Sequence, residues 1–515
     1  MIHTSSLSDS LKEFNITAFR QGQKEIITDV LNGNDVLGIL PTGSGKSLCY
    51  QLPAKLFEGT TIVVSPLISL MHDQVKQLKA KHFKEVIALN SSMNYIERKN
   101  TYRHLQSFKL IYMSPELLQN EELLNYLTQI KISLFVIDEA HCISQWGHEF
   151  RPDYLKLESI INRLGNPPIL ALSATVTETV QTDIVKTLKR PHIIKHIYPI
   201  DRTNIAFTIH EVSDNTEKME LILKLLHHKH VPTIIYFSSR AVSERVANLL
   251  SAELPQHEIA FYHGGMDQND RVIVQQQFMN DQLDVICCTS AFGMGIDKPN
   301  IRLVIHYHMP NQIESYIQEV GRAGRDGKES LSVLLYSHND KYIPLNIIDS
   351  ELPSEDEVNM TFNKIYDIYD KNKNLPSKDE EILEILQLGE IKWRFLQYQM
   401  ERYGIIKDKF VQYNANNWDV ARQNIKKLIK DRQLLKQRKL NEMLRWIHED
   451  YCLRKRLYKP FQHSYQPALY QCCSNCGYSL DEWMPEQKMA TQKKDLGWHQ
   501  KLKNILLIEG DYEAE

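Results

Sequence analysis

The feature that most restricts the fold is the segment Pro41-Thr42-Gly43-Ser44-Gly45-Lys46-Ser47, set between a β-like run, Val36–Leu40, and a stretch compatible with helix. A strand that passes through closely spaced glycines into a helix is the context of a phosphate-binding loop. Gly43 and Gly45 let the backbone curl until its amides face phosphate oxygens, and the start of the helix adds a field that favours anions. Lys46 would reach the β- and γ-phosphates of a nucleotide, and Ser47 would ligate Mg²⁺. Leu40 stands where the pattern usually has its first glycine. The plain alternative is a glycine-rich turn that holds no nucleotide.

The acidic half of such a site follows downstream. Leu134–Ile137 is an apolar run that ends in Asp138-Glu139-Ala140-His141. Asp138, at the C-terminal end of a buried strand, would hold Mg²⁺ directly or through water, and Glu139 would orient and activate the attacking water. An acidic strand end that merely caps a helix is the competing reading, and the phosphate loop upstream counts against it.

Short apolar runs alternate with amphipathic helical stretches through the first two-thirds of the chain. They include Thr61–Ser65, Leu134–Ile137, Ile169–Ser173, Thr233–Phe237, Val285–Cys288 and Leu303–His306. Runs that can be buried on both faces, separated by helices, indicate parallel sheets of α/β class. The pattern occurs twice. The first block ends at a polar joint, Pro199–Asn204, and the second near Ser337–Asp340. Beyond residue 341 the chain is mostly helical and highly charged. The expected domains are 1–204, 205–340 and a helical region 341–480, with a tail 481–515; the 515 residues predict about three domains.

Between Ser377 and Tyr413 the pattern predicts a helix, a turn at Leu388–Gly389, a second helix through Tyr403, a stop at Gly404 and a short strand. That order fits a winged helix-turn-helix, and a plain helical bundle fits it too. A basic run follows, with Arg422, Lys426, Lys427, Lys430, Arg432, Lys436, Arg438, Lys439 and then Arg454, Lys455 and Arg456. It is either a DNA-facing surface or a solvated helix face.

The net charge of −3 excludes a polycation, so nucleic acid would have to be met by local patches. No run approaches the roughly 20 apolar residues of a membrane helix, and no partner membrane is expected. Met1–Phe14 lacks a basic segment followed by an apolar core. The expected location is the cytoplasm, with nucleoid association if the source is bacterial. A reducing compartment argues against structural disulfides. Cys49, Cys142, Cys287 and Cys288 are expected in or beside strands, whereas Cys452, Cys472, Cys473 and Cys476 form a late cluster. Four soft thiolates in an intracellular chain suit a closed, tetrahedral Zn²⁺ site with a folding role. A reactive or disulfide-forming pair is the rival reading, and His463 reads as a surface histidine.

The motifs taken in order resemble those of superfamily-two helicases and, within them, the RecQ family, through residues 7–480. The resemblance implies two tandem RecA-like domains followed by a mostly helical zinc-binding domain. It implies that Phe19, Arg20 and Gln23, in Phe19-Arg20-Gln21-Gly22-Gln23, read adenine, with Gln21 where the family usually has proline. Thr42, Gly43, Ser44, Gly45, Lys46, Ser47 and Asp297 complete the implied nucleotide set. Gln318-Glu319-Val320-Gly321-Arg322-Ala323-Gly324-Arg325 supplies Gln318, Arg322 and Arg325 as catalytic residues, with Arg325 as the arginine finger.

For DNA the resemblance implies Ser65 in Val64-Ser65-Pro66-Leu67, Arg240 after Ile235–Ser239, and His263 in His263-Gly264-Gly265-Met266. Met113-Ser114-Pro115-Glu116 matches a further backbone-holding segment, and Ser173-Ala174-Thr175 matches one that couples the two cores. Residues 144–154 resemble the aromatic-rich loop special to this family, with Trp146, His148, Phe150 and Arg151 facing DNA and Glu149 in place of the usual aspartate. The pair Cys472-Cys473 resembles the form found in some family members, including the Werner helicase; others place the last cysteine where Ser479 stands here. The chain after the cysteines is shorter than the winged-helix and terminal helical modules common in the family.

These expectations converge on an ATP-dependent DNA helicase that moves 3′ to 5′ on single strands and unwinds duplexes in recombination or repair. The cofactors are ATP, Mg²⁺ and Zn²⁺. The partners are single-stranded and branched or tailed duplex DNA, with single-strand-binding protein a further candidate. A DNA-dependent translocase or remodeller without strong unwinding is the alternative. An RNA-directed ATPase is disfavoured by the aromatic loop and the cysteines.

Overall fold

In the computed structural model the described residues are 11–486, apart from 12, 13, 15, 67, 91, 92, 145–150, 294, 295, 372, 377, 408 and 463. Seven strands form the first sheet: β1 (Val36–Ile39), β2 (Thr60–Val64), β3 (Val86–Leu89), β4 (Leu110–Met113), β5 (Ile132–Ile137), β6 (Ile169–Ser173) and β7 (Ile194–Ile197). Their order is β3-β4-β2-β5-β6-β1-β7, and every pairing is parallel. Every residue of β1, β2, β4 and β6 is buried, because helices cover both faces. Continuous Val/Ile/Leu runs therefore mark these strands better than alternation would.

The second sheet repeats the plan with β8 (Ile205–Glu211), β9 (Thr233–Tyr236), β10 (Ile259–Tyr262), β11 (Val285–Cys288), β12 (Leu303–His306) and β13 (Ser330–Tyr336). Its order is β10-β11-β9-β12-β13-β8, again all parallel. Cys287 and Cys288 lie in β11 as expected, but Cys142 lies in the 3-10 turn Ala140–Ile143 after β5, and Cys49 lies in the helix Leu48–Leu56 that follows the phosphate loop. Its apolar neighbours pack a helix face, which a short buried run does not distinguish from a strand.

Beyond the second sheet the chain is helical. Helix Glu355–Lys371 precedes a helix-turn-helix, Asp379–Leu386 and Glu390–Arg402, and a two-stranded antiparallel ribbon, β14 (Ile406–Lys407) with β15 (Phe410–Val411). Gly404, at φ 67°, makes the left-handed turn that ends the second helix. These three helices and the ribbon pack around one core that includes Phe362, Leu386, Trp393, Leu396 and Trp418, an element order that a plain helical bundle lacks. A 33-residue helix, Ala415–Ile447, then runs back to the second sheet. Trp446 is fully buried there against Tyr316, with ring centroids 4.6 Å apart.

That long helix carries much of the basic run, and the structure divides it. Lys436 pairs with Glu351, Lys439 with Glu314 at 2.8 Å, and Arg432 lies over the Phe395 ring at 5.8 Å. These cations are spent inside the protein, while Lys427, Lys430 and Arg438 are exposed. Neither a uniform DNA-facing surface nor a uniformly solvated face describes the run. No described helix is long and apolar enough to cross a membrane.

Candidate functional site

The two sheets face each other across a cleft. One cavity in it is lined by Thr42, Gly43, Gly45, Lys46, Ser47, Asp138 and Glu139 from the first, and by Asp297, Gln318, Arg322 and Arg325 from the second. Gly43 and Gly45 sit at φ 80° and 76°, left-handed positions that side chains resist. A Cβ on Gly45 would also come within 2.8 Å of Gln23 Nε2. Gln23 braces the loop: Nε2 donates to the Ser44 and Gly45 carbonyls at 2.8 and 3.0 Å, and Oε1 accepts from Arg20 N at 2.8 Å. Arg20 Nη1 adds a bond to the Gly43 carbonyl at 2.5 Å. The amide expected to read adenine is thus held on the loop backbone in this state.

Asp138 directly follows β5, its backbone N–H bonded to the Val64 carbonyl at 2.9 Å. Its side chain accepts one hydrogen bond, from Glu139 N at 3.1 Å. Burial and the neighbouring Glu139 carboxylate push it up to about 7, against the pull of Lys46. Glu139 is left-handed at φ 49°, ψ 50°, a conformation that costs about 1–3 kcal/mol for a residue with a side chain. Its Oε2 is buried without a hydrogen bond and lies 3.3 Å from His141 Nδ1. The same Nδ1 is 2.9 Å from Ser173 Oγ, so His141 stands between the acidic pair and the Ser173–Thr175 segment.

Across the cleft, Arg325 Nη1 donates to Asp297 Oδ1 at 2.7 Å, and burial holds its guanidinium below the usual range. Arg322 is buried and donates to the Gly293 carbonyl. Three of the residues that line the cleft, Glu139, Arg322 and Arg325, each have a buried side-chain atom without a hydrogen-bond partner: Glu139 Oε2, Arg322 Nε and Arg325 Nε. Orphaned buried polar atoms are costly, and at a cleft they indicate groups that wait for a ligand.

The other expected positions separate. Phe19 packs against the first sheet's core as a half-buried side chain. Arg240, exposed, opens the helix Arg240–Glu253, and its guanidinium lies beside Gly265. His263 is buried, bonded to Glu244 Oε1 at 2.6 Å and stacked on Phe261, so its ring is engaged within the protein. Arg151 pairs with Glu116 at 3.8 Å. Trp146, His148, Glu149 and Phe150 lie outside the described residues, as does His463. The aromatic loop's far end is described: Tyr154 is buried, and its hydroxyl donates to the Asp138 carbonyl at 3.2 Å.

Two residues that the sequence reading left out of the site tie it together: Arg202, and Arg454, which is buried rather than on the surface expected of the basic run. Arg202, in the joint, donates to the carbonyls of Thr42, Gly321, Ala323 and Gly324. Arg454, two residues after Cys452, is buried and holds Asp201 Oδ1 at 2.5 Å and the Arg202 carbonyl at 3.1 Å. Gln462 accepts from Ile200 N at 2.9 Å, and Leu469 N donates to Thr203 at 2.8 Å. The only signal in the sequence was the pair of charges in the polar joint.

The four late cysteines converge. One sulfur from each lies within 4.8 Å of the others, with Cys452 and Cys472 3.6 Å apart and Cys452 and Cys473 4.0 Å apart. Tetrahedral zinc with Zn–S bonds of about 2.3 Å sets sulfurs about 3.8 Å apart, so the donor set fits. Hydrogen bonds from Cys472 and Cys476 and from the amides of Leu453 and Arg454 hold the Cys473 thiol well below its ordinary value. Cys473 also bridges to Phe207 of β8, so the cluster rests on the second sheet.

Family models agree with this layout. A DEAD/DEAH box helicase model matches residues 20–183, and a helicase conserved C-terminal domain model matches 217–327. The chain is 39% identical to the probable ATP-dependent DNA helicase RecS of Bacillus subtilis (strain 168), covering 96% of this chain and 97% of that one. It is 43% identical to the ATP-dependent DNA helicase RecQ of Haemophilus influenzae over 65% of this chain, which spans 54% of that longer protein. Among solved structures, the Mycobacterium smegmatis helicase Lhr bound to ssDNA and AMP-PNP shares the fold, with a TM-score of 0.56 at 18% identity, over 82% of this chain and 62% of that one. With the phosphate loop, the acidic strand end and the arginine segment assembled in one cleft, the chain belongs to the RecQ family of ATP-dependent DNA helicases.

Proposed function

We propose that the chain uses ATP hydrolysis in this cleft to move 3′ to 5′ along single-stranded DNA and to separate duplexes during recombination or repair. The observation that carries the reading is the meeting of Lys46, Asp138 and Glu139 with Gln318, Arg322 and Arg325 across two sheets. A site split between two bodies couples nucleotide state to their separation, which is what a stepping motor requires.

Lys46 and the loop amides bind the phosphates, and Glu139 orients the attacking water. Arg325 leaves Asp297 for the γ-phosphate, where it stabilises the charge that develops in transfer. Ser47 and Asp138 are the residues to hold Mg²⁺, which neutralises phosphate charge when bound; a buried carboxylate pushed up to about 7 is one that a cation relieves. The segment between Ser144 and Tyr154 reports DNA to the acidic pair through the Tyr154–Asp138 bond. Cys452, Cys472, Cys473 and Cys476 hold Zn²⁺ with no open position, so the ion's part is to fold the platform that fixes the joint. ATP, Mg²⁺ and Zn²⁺ are thus the cofactor set, and tailed or branched DNA is the substrate.

The winged helix-turn-helix precedes the cysteines, and its ribbon exposes Lys407 and Phe410. In this reading its part is to meet duplex at the fork. Polarity is tested by displacement of 3′-tailed against 5′-tailed duplexes. Unwinding of the 3′-tailed substrate alone supports the reading, and preference for the 5′ tail defeats it. Removal of residues 377–413 should abolish displacement and spare ATP turnover; undiminished displacement would remove the wing from the account.

A further inference from the structure

The second sheet carries another cluster at the end opposite the cleft. The motif residues follow the C-terminal ends of β9, β10 and β11, whereas His230, His257 and Asp284 precede their N-terminal ends. These strands are neighbours in the order β10-β11-β9, so three loops distant in sequence arrive side by side. One ligand atom from each residue lies within 4.8 Å of the others. His230 Nε2 is 3.3 Å from Asp284 Oδ2, and the His230 and His257 rings stack with centroids 4.3 Å apart at 21°.

His257 supplies an independent observation. Its side chain is 5% exposed, and its Nε2 is 2.8 Å from the Leu226 carbonyl. A carbonyl only accepts, so Nε2 carries the proton and the lone pair of the neutral ring falls on Nδ1. That Nδ1 is buried and has no hydrogen-bond partner. A metal-bound imidazole usually donates its other N–H to a carbonyl or carboxylate, as Nε2 does here, and His257 stands beside a second imidazole and a carboxylate. Asp284 is fixed as well, since Oδ2 accepts from Glu258 N at 3.0 Å.

We propose that His230, His257 and Asp284 form a second Zn²⁺ site, with water in the fourth position, that clamps the entry loops of β9, β10 and β11. Two imidazoles and one carboxylate are a borderline donor set suited to Zn²⁺. Tetrahedral bonds of about 2.0–2.2 Å place ligand atoms about 3.3–3.6 Å apart, and His230 Nε2 and Asp284 Oδ2 are 3.3 Å apart. The two rings stack at 21°, so His230, which is 22% exposed, must turn out of the stack to bring its lone pair onto a metal shared with His257. Because the clamp lies away from the cleft, its loss leaves ATP turnover unchanged.

The test is metal titration of the full chain after chelation, comparing wild type with His230→Ala, Asp284→Asn and Cys476→Ser. Zn²⁺ equivalents and the thermal midpoint are measured, and Co²⁺ serves as the spectroscopic probe. Wild type should bind two equivalents, one with intense thiolate-to-cobalt absorption and one with weak ligand-field bands only. His230→Ala and Asp284→Asn should each keep the thiolate band, and the second equivalent should bind at least tenfold more weakly. The Cys476→Ser variant should weaken the thiolate band and keep the second equivalent, so a failed cysteine site is told apart from a failed histidine site. The proposal is overturned if wild type binds no metal beyond the thiolate site, or if His230→Ala and Asp284→Asn bind the second equivalent as wild type does.

Discussion

Arg202 Nη1 donates to the carbonyl of Thr42 in the phosphate loop at 3.1 Å, across the boundary between the two sheets. The same guanidinium holds Gly321 at 3.2 Å and Gly324 at 2.5 Å in the segment that carries Arg322 and Arg325. Burial, then the nearby Arg325, lowers its pKa to about 10, so it stays charged near neutrality. One side chain thus sets the spacing between the loop that binds phosphate and the arginines that act on it.

Arg202→Ala should lower kcat for DNA-stimulated ATP hydrolysis more than it raises KM. Hydrogen bonds from a charged group contribute about 1.5–3 kcal/mol, which corresponds to about 10–100-fold in rate. Lysine cannot serve four carbonyls with a planar fork, so Arg202→Lys should recover little. Steady-state kinetics of both variants check this, and an unchanged kcat would show that the bridge does not set the closed state.

Arg325→Lys should bind nucleotide within a few-fold of wild type and lose about 10³-fold in turnover, since only the developing charge needs the guanidinium. Asp297→Asn removes the partner that holds Arg325 at 2.7 Å. It should raise basal turnover in the absence of DNA while leaving the DNA-saturated rate nearly unchanged. Equal losses in binding and turnover for Arg325→Lys would make Arg325 a binding group instead.

The elevated Asp138 carboxyl, at about 7, gives a signed pH dependence. Its folded value lies above its unfolded one, so its contribution to stability is present below the unfolded value and is lost as pH rises through about 7. Metal competes with the proton for the same oxygen atoms. Mg²⁺ affinity should therefore fall by up to about tenfold per unit as pH drops below about 7, and level off above it. Mg²⁺ half-saturation of nucleotide binding, measured across that range, reads the effect. A flat profile would remove the assignment of Asp138 as a ligand.

Chelation of the zinc proposed at the four cysteines should reach the ATP site through Arg454. Its bond to Asp201 is a buried ion pair, with both side chains 3% exposed, and loss of one partner of such a pair costs about 3–5 kcal/mol. Arg454→Ala should lower the thermal midpoint and reduce turnover even with zinc retained, and Arg454→Ala with Asp201→Ala should cost less than the sum. Additive losses in that cycle would show that the platform and the joint are independent.

The strands were legible because runs such as Ile169–Ser173 and Val285–Cys288 are apolar throughout and buried on both faces, a pattern with few other solutions. The phosphate loop and the acidic strand end were legible because their chemistry needs particular residues at adjacent positions. Arg202 was not, because its partners lie in segments that only the crossovers of two sheets bring together. The inward turn of Lys436 and Lys439 was hidden for the same reason: their partners, Glu351 and Glu314, are distant in sequence. The helix-turn-helix boundaries could be read, but the choice between wing and bundle rested on the short pairing of Ile406 with Val411, which two-residue strands do not announce.

The central claim is that the split cleft converts ATP hydrolysis into DNA unwinding. The most direct measurement is ATP turnover with no nucleic acid, with single-stranded DNA and with RNA, run beside displacement of a 3′-tailed duplex, with Lys46→Ala as the blank. The account predicts turnover stimulated by DNA, displacement that requires ATP, and neither in the blank. Stimulation by RNA alone, or DNA-stimulated turnover that leaves the duplex intact, would contradict it.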